Sequence, residues 1–160
     1  MVRIFDDGGE FDVPLDLLWA YLGAPRWHAE AHRTTARNYR GKELGGNAFE
    51  LAFEQKLGGR WQRTRGRGTV LAPLGVASET LAGPLAGSRY FEYYTPRGAR
   101  TRVTVVGEFV SRTIPPRRLG PMIRDLFDQY FEEDRAALRL YRRSLRTDPR
   151  TGRTGGRRSR

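Results

Sequence analysis

The 160-residue chain contains no cysteine, only two histidines and only two lysines, Lys42 and Lys56. Without cysteine, neither a disulfide bond nor a thiolate metal site can form, so a hydrophobic core has to hold the fold together. The N-terminal residues include two aspartates where a signal peptide needs an unbroken apolar stretch. No later segment approaches the roughly 18 apolar residues of a membrane span. These absences predict a soluble, cytoplasmic protein.

Arginine carries almost all of the positive charge, and the formal net charge is +11. Part of this excess lies in residues 146–160, which hold six arginines, one aspartate and no apolar side chain. A segment of this composition has nothing to bury, so we predict one domain at 1–145 followed by a disordered tail at 146–160. The tail is either a solubilising extension or a weak contact for nucleic acid or an anionic surface.

Hydrophobic periodicity divides the domain into a strand, two short helices, six further strands and a long helix. The first strand is Val2–Asp12, and the short helices are Pro14–Leu22 and Pro25–His32, each with proline in its first turn. The six further strands are Arg33–Leu44, Ala48–Leu57, Arg60–Leu71, Val76–Leu81, Ser88–Thr95 and Thr101–Ser111. The breaks between them are short and contain glycine or proline, which favours hairpins and an antiparallel meander.

The last segment, from the proline pair 115–116 to about Leu145, has an apolar stripe at helical spacing and charged residues on the opposite side. A helix of roughly 28 residues is about 40 Å long and needs an apolar surface of similar length. The sheet is the one such surface that the sequence offers. We therefore predict an α+β helix-grip fold, in which a curved antiparallel sheet of about seven strands wraps around the long C-terminal helix.

Three stretches resemble the START/Bet v superfamily, also called SRPBCC. FDVPLDLLWAYL at 11–22 is similar to its first strand and proline-started helix, and APRWHAEAH at 24–32 is similar to its second helix. The third stretch is TPRGARTRVTVVGEFV at 95–110 followed by PPRRLGPMIRDLFDQYFEEDRAALRLYRRSL at 115–145, which is similar to the last strand and the gripping helix. The resemblance implies a cavity between helix and sheet for sterols, lipids or polyketides. Catalytic residues differ among branches of the superfamily, and no signature here selects one.

A ligand in such a cavity would contact the inner face of the strands and the facing side of the helix. The predicted lining consists of Phe49, Leu51, Phe53, Trp61, Met122, Leu126 and Tyr130. Each of these residues could equally belong to a filled core. The faces occupied by Trp61 and Tyr93 stay open, because a slip of one residue turns a strand over.

The two histidines, His28 and His32, are four residues apart on a predicted helix, so their imidazoles share one face. Glu30 lies midway between them and points away from a shared metal, and no third ligand is indicated. We therefore predict neither a metal nor a cofactor. If the pair faces the cavity mouth, the histidines are candidate acid–base groups, together with Tyr93 and Tyr130.

Arg63, Arg65 and Arg67 alternate along one strand and so lie on one face of it. Facing inward, they could bind a ligand carboxylate or phosphate. Facing outward, they form a solvated basic stripe, which avoids the cost of burying unpaired guanidinium groups.

Three functions follow from these patterns. The leading hypothesis is a module that binds or carries a small hydrophobic ligand. The second is an enzyme of the polyketide cyclase or dehydratase type. The third is a basic protein that contacts nucleic acid or anionic surfaces through its tail. Ligand identity, reaction and oligomeric state do not follow from the sequence.

Overall fold

The computed structural model describes residues 1–147, without the side chains of Pro25, His28 and Thr147. Most of this part of the chain forms one antiparallel sheet, two short helices and one long helix. The helices are α1 (Leu15–Leu22), α2 (Pro25–Ala31) and α3 (Pro116–Thr147). The strands are β1 (Val2–Phe11), β2 (Ala36–Gly45), β3 (Ala48–Leu57), β4 (Arg60–Leu71), β5 (Gly75–Ala82), β6 (Arg89–Arg97) and β7 (Arg100–Phe109). The predicted α+β helix-grip architecture is confirmed.

The strand order across the sheet is β1-β7-β6-β5-β4-β3-β2. Strands β2 to β7 follow one another as hairpins, and β1 returns to pair with β7. Helices α1 and α2 form the connection between β1 and β2, which are the two edge strands of the sheet. Among the strands, β1 and β7 come closest to the backbone of α3. The helix therefore packs against one side of the curved sheet and stands further from the other.

The buried apolar side chains form two clusters along α3. The first lies under the beginning of the helix and contains Ile4, Leu57, Leu85, Phe109, Leu119, Ile123 and Leu126. The second lies under its later turns, where α1 joins it, and contains Phe11, Val13, Leu18, Tyr21, Tyr94, Ala137 and Leu138. The helical spacing of Leu119, Ile123 and Leu126 places them on one face, as the sequence pattern predicts. The stretch of helix between the two clusters carries the polar residues described below.

None of the helices in residues 1–147 is long and apolar enough to cross a membrane.

We expect Ile123→Ala to lower the free energy of unfolding by about 2–4 kcal/mol, because the fully buried side chain leaves a cavity in the first cluster. Urea denaturation followed by circular dichroism measures the change. Leu140→Ala is the matched control on the same helix. Leu140 is 54% exposed, so its replacement should cost less than about 0.5 kcal/mol. Equal losses in the two variants would contradict the arrangement of the core.

Candidate functional site between the sheet and the long helix

The side chains of β3 alternate between two faces of the sheet, and Gln55 and Leu57 are the two that are buried. The period of two places Phe49, Leu51 and Phe53 on the same inner face. Each of them pairs with a small residue of β4: Phe53 with Thr64, Leu51 with Gly66 and Phe49 with Gly68. The inner face of β3 and β4 thus alternates large apolar side chains with very small neighbours.

One of these small neighbours fixes the position of an aromatic ring. A Cβ atom on Gly68 would lie 2.2 Å from Cζ of Phe49, so the ring lies flat across the glycine. Phe53 is held from the other side, where it stacks on Tyr39 of β2 with ring centroids 5.3 Å apart. The result is a largely aromatic floor that runs from β2 to β4.

This floor is not covered by the core. Tyr39, Phe49, Leu51 and Phe53 are only half-buried. Among residues 1–147, neither of the two apolar clusters includes them. Since α3 packs closest to β1 and β7, the inner face of β2, β3 and β4 stays partly accessible under the helix. An accessible apolar surface of this kind is what a hydrophobic ligand needs.

A cleft opens between α3 and the β3–β4 hairpin. Its volume is about 300 Å³, and its lining comprises Lys56, Leu57, Gly58, Gly59, Met122, Asp125, Leu126 and Gln129. Gly58 and Gly59 both have positive φ, 58° and 79°, which is a conformation that favours glycine in a two-residue turn. A Cβ on Gly58 would also lie 2.8 Å from Cε of Met122. The glycine therefore lets the helix approach the hairpin closely.

Tyr130 lies one turn beyond the cleft and begins the polar part of the interior. Its hydroxyl accepts a hydrogen bond of 2.8 Å from Nε2 of Gln55. Burial raises the pKa of Tyr130, so the phenol stays protonated. Oε1 of Gln55 and Oγ1 of Thr64 are both buried, and neither has a hydrogen-bond partner in residues 1–147. Such atoms are rare in folded proteins, because a buried polar group without a partner is costly.

The next turn of α3 holds His32 through two carboxylates. Nδ1 of His32 lies 2.9 Å from Oε2 of Glu133, and Nε2 lies 3.3 Å from Oδ1 of Asp134. Glu133 also accepts hydrogen bonds from the hydroxyls of Thr34 and Thr35. All of these side chains except Thr34 are largely buried. The group ties the junction of α2 and β2 to the middle of α3.

The two carboxylates decide the charge of His32. Burial alone would lower the pKa of the imidazole, but the hydrogen bonds to Asp134 and Glu133 and their negative charges outweigh it and raise the pKa to about 9. The same contacts lower the pKa of Glu133 in spite of its partial burial. His32 is therefore an imidazolium at neutral pH with both ring nitrogens engaged. That arrangement suits an ion pair that fixes the structure better than a proton-transfer group.

Two hydrogen bonds between a phenol and a carboxyl group, close to this ion pair, were not predicted from the sequence. The hydroxyl of Tyr21 donates a hydrogen bond of 2.6 Å to Oδ1 of Asp134. Glu92 faces inward on β6 and accepts a hydrogen bond of 2.8 Å from the hydroxyl of Tyr94. Burial raises the pKa of Glu92, and the charge of Asp134 adds to this, while the Tyr94 hydrogen bond and the charge of His32 oppose it. Glu92 is half-buried and lies on β6 between Tyr90, which packs against the first apolar cluster, and Tyr94, which belongs to the second. Its alternation with Tyr90 and Tyr94 is the one sequence signal that could have found it.

The structure separates the residues that the sequence proposed for the site. It places Phe49, Leu51, Phe53, Met122, Leu126 and Tyr130 between sheet and helix. Trp61 lies on the outer face instead, where Cζ of Arg37 is 4.1 Å from its ring centroid. It therefore falls outside the lining proposed for it, because the register pairs it with the outward Lys56.

The remaining candidates are placed as follows. Tyr93 is 45% exposed on the outer face, with its ring centroid 4.2 Å from that of Phe91. An acid–base role would require Tyr93 to face the interior, and it does not. The side chain of His28 lies outside the described residues. Arg63, Arg65 and Arg67 are exposed on the outer face, as in the solvated reading of the stripe.

No cluster of three or more metal-binding side chains occurs in residues 1–147. The predicted tail lies almost entirely outside the described residues.

The element order and the strand order define a helix-grip fold. No protein-family model matches the sequence, and no curated protein matches it either. Solved structures do match, and they include a START superfamily protein from Mycobacterium smegmatis, with 9% identity, a TM-score of 0.64 and coverage of 88% of this chain and 97% of that one.

Two further structures are similar over almost the whole domain. TTHA0849 from Thermus thermophilus has a TM-score of 0.73 at 10% identity, over 88% of this chain and 97% of that one. The ZhuI aromatase/cyclase from a Streptomyces species has a TM-score of 0.67 at 16% identity, over 92% of this chain and 94% of that one. At these identities the similarity establishes the START-like fold, which the sequence resemblance predicted.

The ion pair of His32 predicts a loss of stability at alkaline pH. A pKa raised from 6.5 to about 9 stabilises the fold by roughly 3 kcal/mol, fully present below pH 6.5 and lost as the pH rises through 9. Urea denaturation at a series of pH values measures this slope. In His32→Gln the slope between pH 6.5 and 9 should be absent. In Arg33→Gln, which changes an exposed neighbour, it should be kept. A wild-type stability that is flat across this range would contradict the assignment.

Proposed function

We propose that the protein binds a small hydrophobic molecule between α3 and the inner face of β2, β3 and β4. The observation that carries this proposal is the half-buried aromatic floor that neither core cluster covers. A ligand that covers this floor of Tyr39, Phe49, Leu51 and Phe53 would gain about 25 cal/mol of binding free energy for each Å² of apolar surface removed from water. The cleft lies at the hairpin end of β3 and β4, and we propose it as the entrance for the ligand. The START-like fold supports the same function, since the similar structures include a START superfamily protein.

The unpartnered polar atoms narrow the chemistry of this ligand. Oε1 of Gln55 is a hydrogen-bond acceptor, and the hydroxyl of Thr64 can both donate and accept. A ligand with a hydroxyl or amide group beside its apolar body would pair with these atoms once its entry moves aside the side chains that cover them. A plain hydrocarbon chain would leave them unpaired. We therefore propose a ligand with a polar group at one point, such as a sterol, a polyketide-like molecule or a hydroxylated lipid, bound within the cytoplasm.

Binding of the fluorescent probe N-phenyl-1-naphthylamine tests the site. Leu51→Trp fills the floor with a larger ring and should weaken probe binding by about tenfold or more, because the bulky side chain occupies the volume that the ligand needs. Ala52→Trp is the matched control on the outer face of the same strand, where the residue is exposed, and it should bind the probe like the wild type. Fluorescence titration measures both. Wild-type protein that binds no probe, or equal binding by the two variants, would contradict the proposal. Native mass spectrometry of the purified protein would then identify a ligand that co-purifies.

A second candidate function is acid–base catalysis of the cyclase or dehydratase type, and Glu92 is the observation that favours it. A carboxylic acid with a raised pKa keeps its proton to higher pH, as a general acid requires. Glu92 would donate this proton to an oxygen of the bound ligand, while the hydroxyl of Tyr94 holds the carboxyl group in place. His32, with both nitrogens engaged, would supply positive charge nearby rather than exchange protons. One similar structure is described as an aromatase/cyclase.

The dehydration of a β-hydroxyacyl N-acetylcysteamine thioester tests this candidate. In this reaction the Cβ–O bond breaks, the hydroxyl leaves as water after it is protonated, and the α-proton passes to solvent or a base. We expect the rate, followed by absorbance of the conjugated product, to fall at high pH as Glu92 loses its proton. Glu92→Gln should lower it by about 100-fold or more. Tyr93→Phe, on the outer face, should leave it unchanged. No turnover by the wild type, or full activity of Glu92→Gln, would contradict an enzymatic role for Glu92.

A further inference from the structure

The outer face of the sheet carries one row of alternating charges across all seven strands. The strand registers place these residues directly opposite one another from edge to edge. In spatial order this charged row consists of Arg3, Glu108, Arg89, Glu79, Arg67, Glu50 and Lys42. The signs are therefore plus, minus, plus, minus, plus, minus and plus.

Ion pairs within the chain explain part of this pattern. Arg3 pairs with Glu108 at 3.0 Å and Arg89 with Glu79 at 3.0 Å. Opposite charges on neighbouring strands stabilise a sheet modestly. The arginines of these pairs nevertheless stay 78% and 76% exposed. Their guanidinium groups keep donors that are free to bind another molecule.

An apolar row lies beside the charged row, two residues away along the strands. It consists, from β1 to β4, of Phe5, Val106, Phe91, Ala77 and Thr69. Phe5 is 64% exposed and Val106 is 37% exposed. A shallow depression of about 400 Å³ lies beside them, and its lining includes Ala77, Thr69 and Phe91. The same face thus has a protruding aromatic ring at one edge and a depression over small side chains nearer its centre.

The charged row is complementary to itself about a two-fold axis that runs parallel to the strands, midway between β7 and β6. Such an axis keeps the height along the strands and exchanges the strand positions. It places β1 opposite β5 of a second copy, and β7 opposite β6. Arg3 then faces Glu79 of the second copy, and Glu108 faces Arg89 of the second copy. Each of these four charges meets one of opposite sign, while β4, β3 and β2 have no strand of the second copy opposite them.

The same axis matches the apolar row. Phe5 of one copy faces Ala77 of the other, so the protruding ring meets the depression. Val106 faces Phe91. Two stacked sheets normally lie about 10 Å apart, a distance that side chains of this size can fill. A two-fold axis through a strand would bring like charges together, so the axis has to lie between two strands. The axis between β7 and β6 is the one that sets Phe5 over Ala77 in the depression.

We propose that the outer face binds a second copy of this chain, sheet against sheet, about the axis between β7 and β6. A second copy fits this surface because the charged row and the apolar row both meet complementary side chains about the same axis. Two convex sheets meet over only a few strands, which gives an interface at the small end of the range for specific complexes. The dimer should therefore be weak and should form as the protein concentration rises.

Sedimentation velocity of the full chain tests the proposal. From about 10 μM to about 500 μM, the wild type should shift from the monomer toward the dimer. Arg3→Glu and Glu79→Arg should each stay monomeric, because each alone places like charges opposite one another in both halves of the interface. An equimolar mixture of the two variants should dimerise again. In the mixed dimer the two changed residues face each other with opposite signs, and the unchanged Glu79 of one variant faces the unchanged Arg3 of the other.

Dimerisation that returns on mixing rules out a folding defect in the variants. Mixing changes no contact within either chain, so it could not repair a misfolded variant. Phe5→Ser should also remove dimerisation, whereas Leu140→Ser, which changes an exposed leucine on α3, should not. Arg135→Glu is the charge control on the same helix. A wild type that stays monomeric at the highest concentration would overturn the proposal. So would a mixture of the two charge variants that stays monomeric while the wild type dimerises.

Discussion

The packing of α3 against one side of the sheet is the constraint on which the interior depends. The helix has 32 residues, which makes it about 48 Å long, and its backbone comes closest to β1 and β7. Its apolar stripe forms a core there at each end. The far side of the curved sheet, from β2 to β4, is left with an aromatic floor that neither core cluster includes.

Two apolar clusters separated by a polar stretch follow from the same helix. Leu119, Ile123 and Leu126 complete one cluster, and Ala137 and Leu138 the other. Between them, Tyr130, Glu133 and Asp134 face the interior. Burying two carboxylates in this gap would be unfavourable without the imidazolium of His32 and the hydroxyls around them. The ion pair thus fixes the position of α2 against α3.

The two faces of the sheet have different chemistry because β-strand side chains alternate. On the inner face, β3 and β4 combine aromatic residues with glycine and threonine, which leaves room above the floor. On the outer face, the arginines of β4 are exposed and Arg67 pairs with Glu50 at 3.2 Å. The proposed ligand site and the proposed self-association surface therefore lie on opposite sides of the same strands. Occupation of one does not block the other.

The sequence by itself determined the order and type of every element, because helical and strand periodicities and the glycine and proline breaks are local signals. It also identified Phe49, Leu51 and Phe53 as one face of a strand. Only the tertiary structure decided which face that was and placed Trp61 and Tyr93 outside, since register is set by pairing between strands. The same holds for the interior group. Glu133 and Asp134 look like part of a solvated helix surface in the sequence, and His32 like one of a pair with His28. Their ion pair joins residues about a hundred positions apart in the chain, a contact that no local pattern specifies.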